Sequence, residues 1–252
     1  MSTLVFTSAG HAPGVTALTI ALALHWPNDV LLVDCNREPD QSVLAGYLQG
    51  VDPAGRGLGG VLQSHRERRP IAECLPALTL PLDASGTRDF LPGFAHPGMV
   101  ALFEQVWPDF ASALDGGERV VLVDAGRIRP SGLPSPLVTS SAGVAVVTGS
   151  RLVDLAALRL YLPLVVAVAG EDRVGLVVVG PGRPYGTGEI SERFGVPVWG
   201  KVAWSPVEAA RFAAGEPAPR RLANPYATDV RALAASLVER TVTQRTLVGV
   251  PR

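Results

Sequence analysis

"TLVFTSAGHAPGVTALTIALAL", Thr3–Leu24, decides the fold. Its opening "TLVFTS" has the apolar character of a strand and its closing "VTALTIALAL" that of a helix, with the glycine-containing turn "AGHAPG", Ala9–Gly14, between them. A turn from strand to helix is where α/β proteins hold phosphate. Backbone N–H groups and the helix N-terminus attract the anion, one lysine adds charge, and a Ser or Thr reaches the magnesium. Gly14 and Thr16 occupy the expected places, and Val15 stands where the lysine belongs. No shift of register supplies one, because Lys201 is the only lysine among 22 basic residues.

A chain of 252 residues, 47% hydrophobic, can bury a large core as one α/β domain. The formal net charge of −1 argues against a protein built mainly to coat nucleic acid. Arginine replaces lysine almost throughout, alongside many Ala, Gly and Pro, as in the coding bias of a GC-rich genome. Cys35 and Cys74 lie in no metal-ligand spacing, which suggests a reduced, cytoplasmic protein. No basic segment precedes the first strand, so no signal peptide is expected. "LYLPLVVAVAG", Leu160–Gly170, is too short to span a bilayer and contains Pro163.

Outward from the first turn, apolar runs of strand length alternate with helical patterns. Strands are expected at Leu4–Thr7, Val30–Asp34, Leu78–Leu82, Val120–Asp124, Gly143–Thr148, Gly175–Val179 and Val198–Ala203. Their near-continuous Val, Leu and Ala content suits strands buried on both faces. Helices are expected at Val15–Leu24, Ser42–Leu48, Met99–Leu114, Leu152–Leu160, Thr187–Phe194, Pro206–Ala213 and Tyr226–Val242. The alternation implies a doubly wound, mostly parallel sheet with helices on both faces, and ligand chemistry at the carboxyl ends of the strands. "GVDPAGRGLGG", "GRIRPSGLPSP" and "RDFLPGFAHPG" read as loops. One domain is expected over 1–245, with a tail over 246–252.

Several residues together resemble the ParA/MinD branch of the P-loop ATPases, which includes the TadZ/CpaE-like proteins of pilus and secretion systems. The loop of that family reads K-G-G-V-G-K-T. "GHAPGVT", Gly10–Thr16, lies over it with Gly14 and Thr16 matching, Gly10 in place of the signature lysine and Val15 in place of the P-loop lysine. The family's D-x-D after the second strand is represented by Asp34 and Asn36. "VVLVDAGR", Val120–Arg127, is similar to the Walker B strand and the D-x-G that follows it, through Asp124 and Gly126. "PVWGKVAWSPVEAARFAAGEP" resembles the segment that closes the nucleotide pocket. The likeness spans roughly residues 3 to 240.

The resemblance implies a P-loop NTPase-like fold with ATP at Gly10, His11, Gly14, Val15, Thr16, Asp34, Asp124 and Gly126, and magnesium at Thr16 and Asp124. Three charged positions of the family are lost at Gly10, Val15 and Asn36, which implies weak or absent nucleotide binding and little hydrolysis. Plainer readings stand beside these. Thr16 can bond its own helix backbone, Asp124 can cap a turn, His11 and Asn36 can be surface residues, and "HRERR", His65–Arg69, can be a solvated face. By resemblance the chain is a spatial adaptor for a pilus, secretion, conjugation or partition complex. It is expected to form a homodimer through apolar contacts around the loops near Pro92 and Pro134, or to stay a monomer that ATP does not change. Alternatives are a working ATPase in chromosome or plasmid partition, with Arg127 or Arg151 supplying charge, and a metabolic enzyme on the same fold. Seven arginines against four acids from Pro206 onward leave weak DNA binding open, and "TLVGVPR" is too short for an amphipathic membrane helix.

Overall fold

The computed structural model describes residues 3–11, 13–117, 119–217 and 224–248. Strand β1 (Thr3–Ser8) lies in the middle of an eight-stranded sheet whose order is β3-β4-β2-β5-β1-β6-β7-β8. The others are β2 (Val30–Asp34), β3 (Leu80–Pro81), β4 (Arg88–Leu91), β5 (Val120–Arg127), β6 (Gly143–Gly149), β7 (Val174–Val179) and β8 (Val198–Val202). All neighbours are parallel except β3, which runs antiparallel to β4. The expected strand over Leu78–Leu82 contracts to two residues, because the helix before it runs to Leu78.

The apolar runs are continuous because both faces of the sheet are covered. Val5 of β1 faces one layer, while Leu4 and Phe6 face the other. Helix α1 (Val15–His25) has eight of its eleven residues buried, between the sheet and helices α9 (Pro206–Ala214) and α10 (Pro225–Val248). The opposite layer holds α2 (Leu58–Arg66), α3 (Ile71–Leu78), α4 (Gly98–Leu102), α5 (Trp107–Asp115), α6 (Ser135–Thr139), α7 (Leu152–Ala169) and α8 (Thr187–Phe194). Phe94, Phe103, Trp107 and Phe110 form its aromatic centre, with Phe103 and Trp107 edge to face at 4.8 Å.

Several expected elements change when the chain folds. "RDFL" is not loop but β4, paired to β2. Its charged residues are satisfied by partners distant in sequence: Arg88 donates to the Ala23 carbonyl at 3.0 Å, and Asp89 pairs with Arg119 at 2.5 Å. The loop read over "GVDPAGRGLGG" ends early, since Leu58 opens α2. The single helix expected at Met99–Leu114 is two, α4 and α5, with Pro108 in the first turn of α5. The helix expected at Ser42–Leu48 is one π-turn, Val43–Tyr47. Helix α7 continues through Pro163 to Ala169, giving 18 residues of mean hydropathy 2.0, so by length and composition alone it could cross a membrane. Its buried side, Leu158, Leu162 and Val165, is part of the core. Helix α10 reaches Val248, past the expected start of the tail; residues 249–252 lie outside the described set.

Pro92 and Pro134, which mark the loops expected to carry a dimer contact, are themselves buried in the chain's own fold. The Pro92 carbonyl accepts the Leu58 N–H at 2.8 Å, and Pro134 precedes α6. These two side chains offer nothing to a second chain, while Pro97 in the first loop and Ser135 after the second are exposed.

Candidate functional site

The carboxyl ends of β1, β2 and β5 lie side by side, and the sheet register sets Asp124 level with Phe6 on one flank and Asp34 on the other. Three segments far apart in sequence thus converge at the point where strand connections leave in opposite directions, which is where open α/β sheets bind ligands.

From β1 the chain enters the loop, where His11 (φ 58°) and Gly14 (φ 88°) take left-handed backbone and turn it into α1. Among the described residues no side chain caps this end of α1, so its first-turn N–H groups have no side-chain acceptor. Thr16, in that first turn, donates its hydroxyl proton to Asp124 Oδ2 at 2.5 Å. The other Asp124 oxygen accepts the Gly126 N–H at 2.8 Å. Asp124 thus caps the turn after its strand, as the plain reading has it, while Thr16 bonds not its own helix backbone but a carboxylate 108 positions away. A hydroxyl and a carboxylate side by side are the hard oxygen donors that suit magnesium, and the residues present fit that ion.

Asp34 and Asp124 are two carboxyls at adjacent positions of the sheet, and burial raises both above the ordinary carboxylate range. For Asp34, burial is followed by repulsion from Asp124, and its carboxyl is pushed up to about 8. For Asp124, the bonds from Thr16 and Gly126 oppose burial and hold the rise to about 6. Among the described residues no basic side chain offsets the charge of either carboxyl.

Val15 is buried, with 6% exposure, among the apolar residues around α1. It is a packing residue, not a gap left by a lost lysine. Gly10 is partly buried and His11 exposed in the loop. Of the arginines named as substitutes, Arg151 is already gripped by Asp154 through two bonds of 3.0 and 2.9 Å, and Arg127 is exposed at the end of β5.

Asn36 is a turn residue, its Oδ1 accepting the Glu38 N–H at 3.0 Å, but it does not simply face solvent. It is partly buried, its N–H bonds Asp34 Oδ1 at 2.9 Å, and its side chain lies over Gly126. A Cβ on Gly126 (φ 62°) would meet Asn36 Oδ1 at 2.2 Å, so only glycine fits there. A neutral amide in that place neither carries charge nor takes a proton. Gly93, which the sequence reading left in a loop, approaches Asp34 so closely that a Cβ would lie 2.5 Å from Oδ2. The Pro-Gly pair at 92–93 was the available signal.

Arg183 and Trp204 also went unnoticed. The Arg183 guanidinium lies 5.7 Å from the centre of the Trp204 ring, beside a cavity of about 120 Å³ that His11, Ser150 and Arg151 help to line. A second cavity of about 30 Å³ adjoins Gly14 and Tyr226. Ligand pockets are commonly about 300–1,000 Å³, larger than either space. A wider cleft of about 1820 Å³ opens at the amino ends of β2 and β5 between Trp26, Arg66 and Ile71, away from the loop. The "HRERR" cluster borders that cleft, with Arg69 paired to Glu67 at 2.7 Å inside the cluster and His65 to Asp109 of α5 at 3.3 Å.

No protein-family model and no curated protein sequence matches the chain. Solved structures do. The ParA family ATPase of Chlorobium tepidum TLS superposes with a TM-score of 0.73 at 12% identity, over 93% of this chain and 98% of that one. The fold is that of the ParA/MinD ATPases. MinD of Aquifex aeolicus gives a TM-score of 0.71 at 15% identity over 95% and 98% of the two chains. A plasmid partition protein of Borrelia burgdorferi B31, bound to AMPPNP, gives 0.70 at 13% over 95% and 99%. At these identities the likeness establishes the ParA/MinD fold, into which the chain fits at nearly full length.

Proposed function

We propose that this protein is a spatial positioning adaptor built on the ParA/MinD fold with a degenerate ATPase site, serving a bacterial pilus, secretion or conjugation apparatus or a partition complex. The observation that carries the reading is the site's charge. Phosphoryl transfer requires spread negative charge to be neutralised, and here Gly10, buried Val15 and neutral Asn36 replace three charged positions while two carboxyls remain. Thr16 and Asp124 are the magnesium ligands in this reading. Gly10, His11, Gly14, Val15 and Gly126 border the phosphate position, and Asp34 lies beside Asp124. ATP binds weakly or not at all. Function then lies in protein contacts of a cytoplasmic homodimer over residues 1–245 with no membrane-spanning segment, DNA being at most a weak ligand.

The test is ATP turnover with magnesium, expected at background. Turnover like that of an active partition ATPase would refute the adaptor reading. One feature favours a second reading, a working ATPase in chromosome or plasmid partition: the Thr16–Asp124 bond is retained at 2.5 Å. That reading needs a cation, and exposed Arg127 is the candidate, so Arg127→Ala would abolish any turnover found.

A further inference from the structure

Only 28% of the 18 residues of α7 are buried, a low share for a helix this apolar. Leu160 is 71% exposed, Leu152 66%, Val153 50% and Leu164 38%. Val153, Ala156, Leu160, Pro163 and Ala167 are all exposed and follow one another at steps of three, four, three and four residues. That is the seam of a helix that packs lengthwise against another helix, with small residues where the backbones approach. Beside it α8 forms the second wall of a groove of about 1280 Å³.

We propose that α7 is the interface of a homodimer that forms without nucleotide, each α7 lying antiparallel in the α7/α8 groove of a second copy. Four observations favour a copy of this chain over other occupants. The groove carries Arg159 and Arg193 together with Glu189 and Glu192, none in an ion pair among the described residues, so the surface is neutral and complements itself. An anionic membrane or nucleic acid would select a basic rim, which this groove lacks. Leu160 lies at the midpoint of Leu152–Ala169, so a two-fold axis there brings it against its own copy and sets the helix dipoles antiparallel. The area is also suitable. A helix of 18 residues is about 27 Å long, and with α8 alongside it covers several hundred Å² per partner, near the lower end of specific interfaces at about 600–800 Å². The inference rests on the α7 surface alone and stands whether or not ATP binds.

Sedimentation or light scattering of the full chain from about 1 to 100 µM, without nucleotide, tests it. The expected mass rises from 26.4 kDa toward twice that value. Leu160→Glu holds the monomer across the series, a shift of at least about ten-fold in association, whereas Leu102→Glu, at an equally apolar exposed site on α4, leaves the series unchanged. Should Leu160→Glu fold poorly, Leu160→Cys with Cys74→Ser decides: oxidation links two chains through position 160, while Leu102→Cys with Cys74→Ser gives no link. A wild-type monomer at the highest concentration, a Leu160→Glu dimer as tight as wild type, or a dimer that appears only with ATP and magnesium would each overturn the proposal. Flotation with vesicles of anionic phospholipid, lost in Leu160→Glu while the protein stays monomeric in solution, would overturn it in favour of a lipid surface.

Discussion

Asp34→Asn should make the protein more stable at alkaline pH and flatten its pH dependence. Burial and the neighbouring Asp124 raise the Asp34 carboxyl from 3.8 to about 8. Between those values the native chain keeps a proton that the unfolded chain has released, so the native state binds more protons and stability falls as pH rises. The slope for one such proton is about 1.4 kcal/mol per pH unit, a ceiling near 4 kcal/mol from pH 5 to pH 8. Asp34 keeps some contact with water and shares its titration with Asp124, which brings the expected difference to about 2–3 kcal/mol. The amide is isosteric and its oxygen still accepts the Asn36 N–H, so the substitution removes charge and little else. Urea unfolding followed by tryptophan fluorescence at pH 5, 6.5 and 8 measures it. Wild type should lose stability across the series, and the margin by which Asp34→Asn exceeds it should widen from pH 5 to pH 8, the two proteins coinciding only below about pH 4. Parallel curves for the two proteins would refute the account of the carboxyl pair. Millimolar magnesium should narrow the gap at pH 8, because an ion at Thr16 and Asp124 supplies the missing positive charge.

Thr16→Val removes the bond to Asp124 and should lower stability by about 1–3 kcal/mol near neutral pH, and it should abolish any stabilisation by magnesium in a thermal melt. Val15→Lys restores a cation at the loop but places it where a buried apolar side chain packs, so about 1–2 kcal/mol of stability should be lost; calorimetric titration should show nucleotide affinity improving more than turnover. Gly126→Ala should cost about 1–3 kcal/mol from its positive φ and the collision with Asn36, and adding Asn36→Gly should recover the part due to the collision, read as a change in urea midpoint. Any affinity for DNA should be weak and fall steeply with salt, and Arg220→Ala with Arg221→Ala, residues outside the described set, should reduce both affinity and slope in a filter-binding assay.

Read alone, the sequence determined the βα alternation, the placing of the phosphate-type turn at Gly14–Thr16, and Asp34 and Asp124 at the ends of their strands. These are local signals: an apolar run long enough for a strand buried on both faces, a glycine before a helix, an acid at the carboxyl end. It also determined the absence of lysine, which is a matter of composition. What it could not determine depends on partners far along the chain. "RDFL" is a strand because it pairs with β2, more than fifty residues earlier, and α7, which runs through Pro163, has Leu158, Leu162 and Val165 packed in the core. Whether Asn36 faces solvent or covers Gly126, and whether Val15 leaves a gap or fills the core, were both decided by packing. The physical reason is that sequence periodicity reports which face of an element is apolar, whereas the site's charge balance depends on side chains brought within hydrogen-bonding distance across some 100 residues, as Thr16 and Asp124 are.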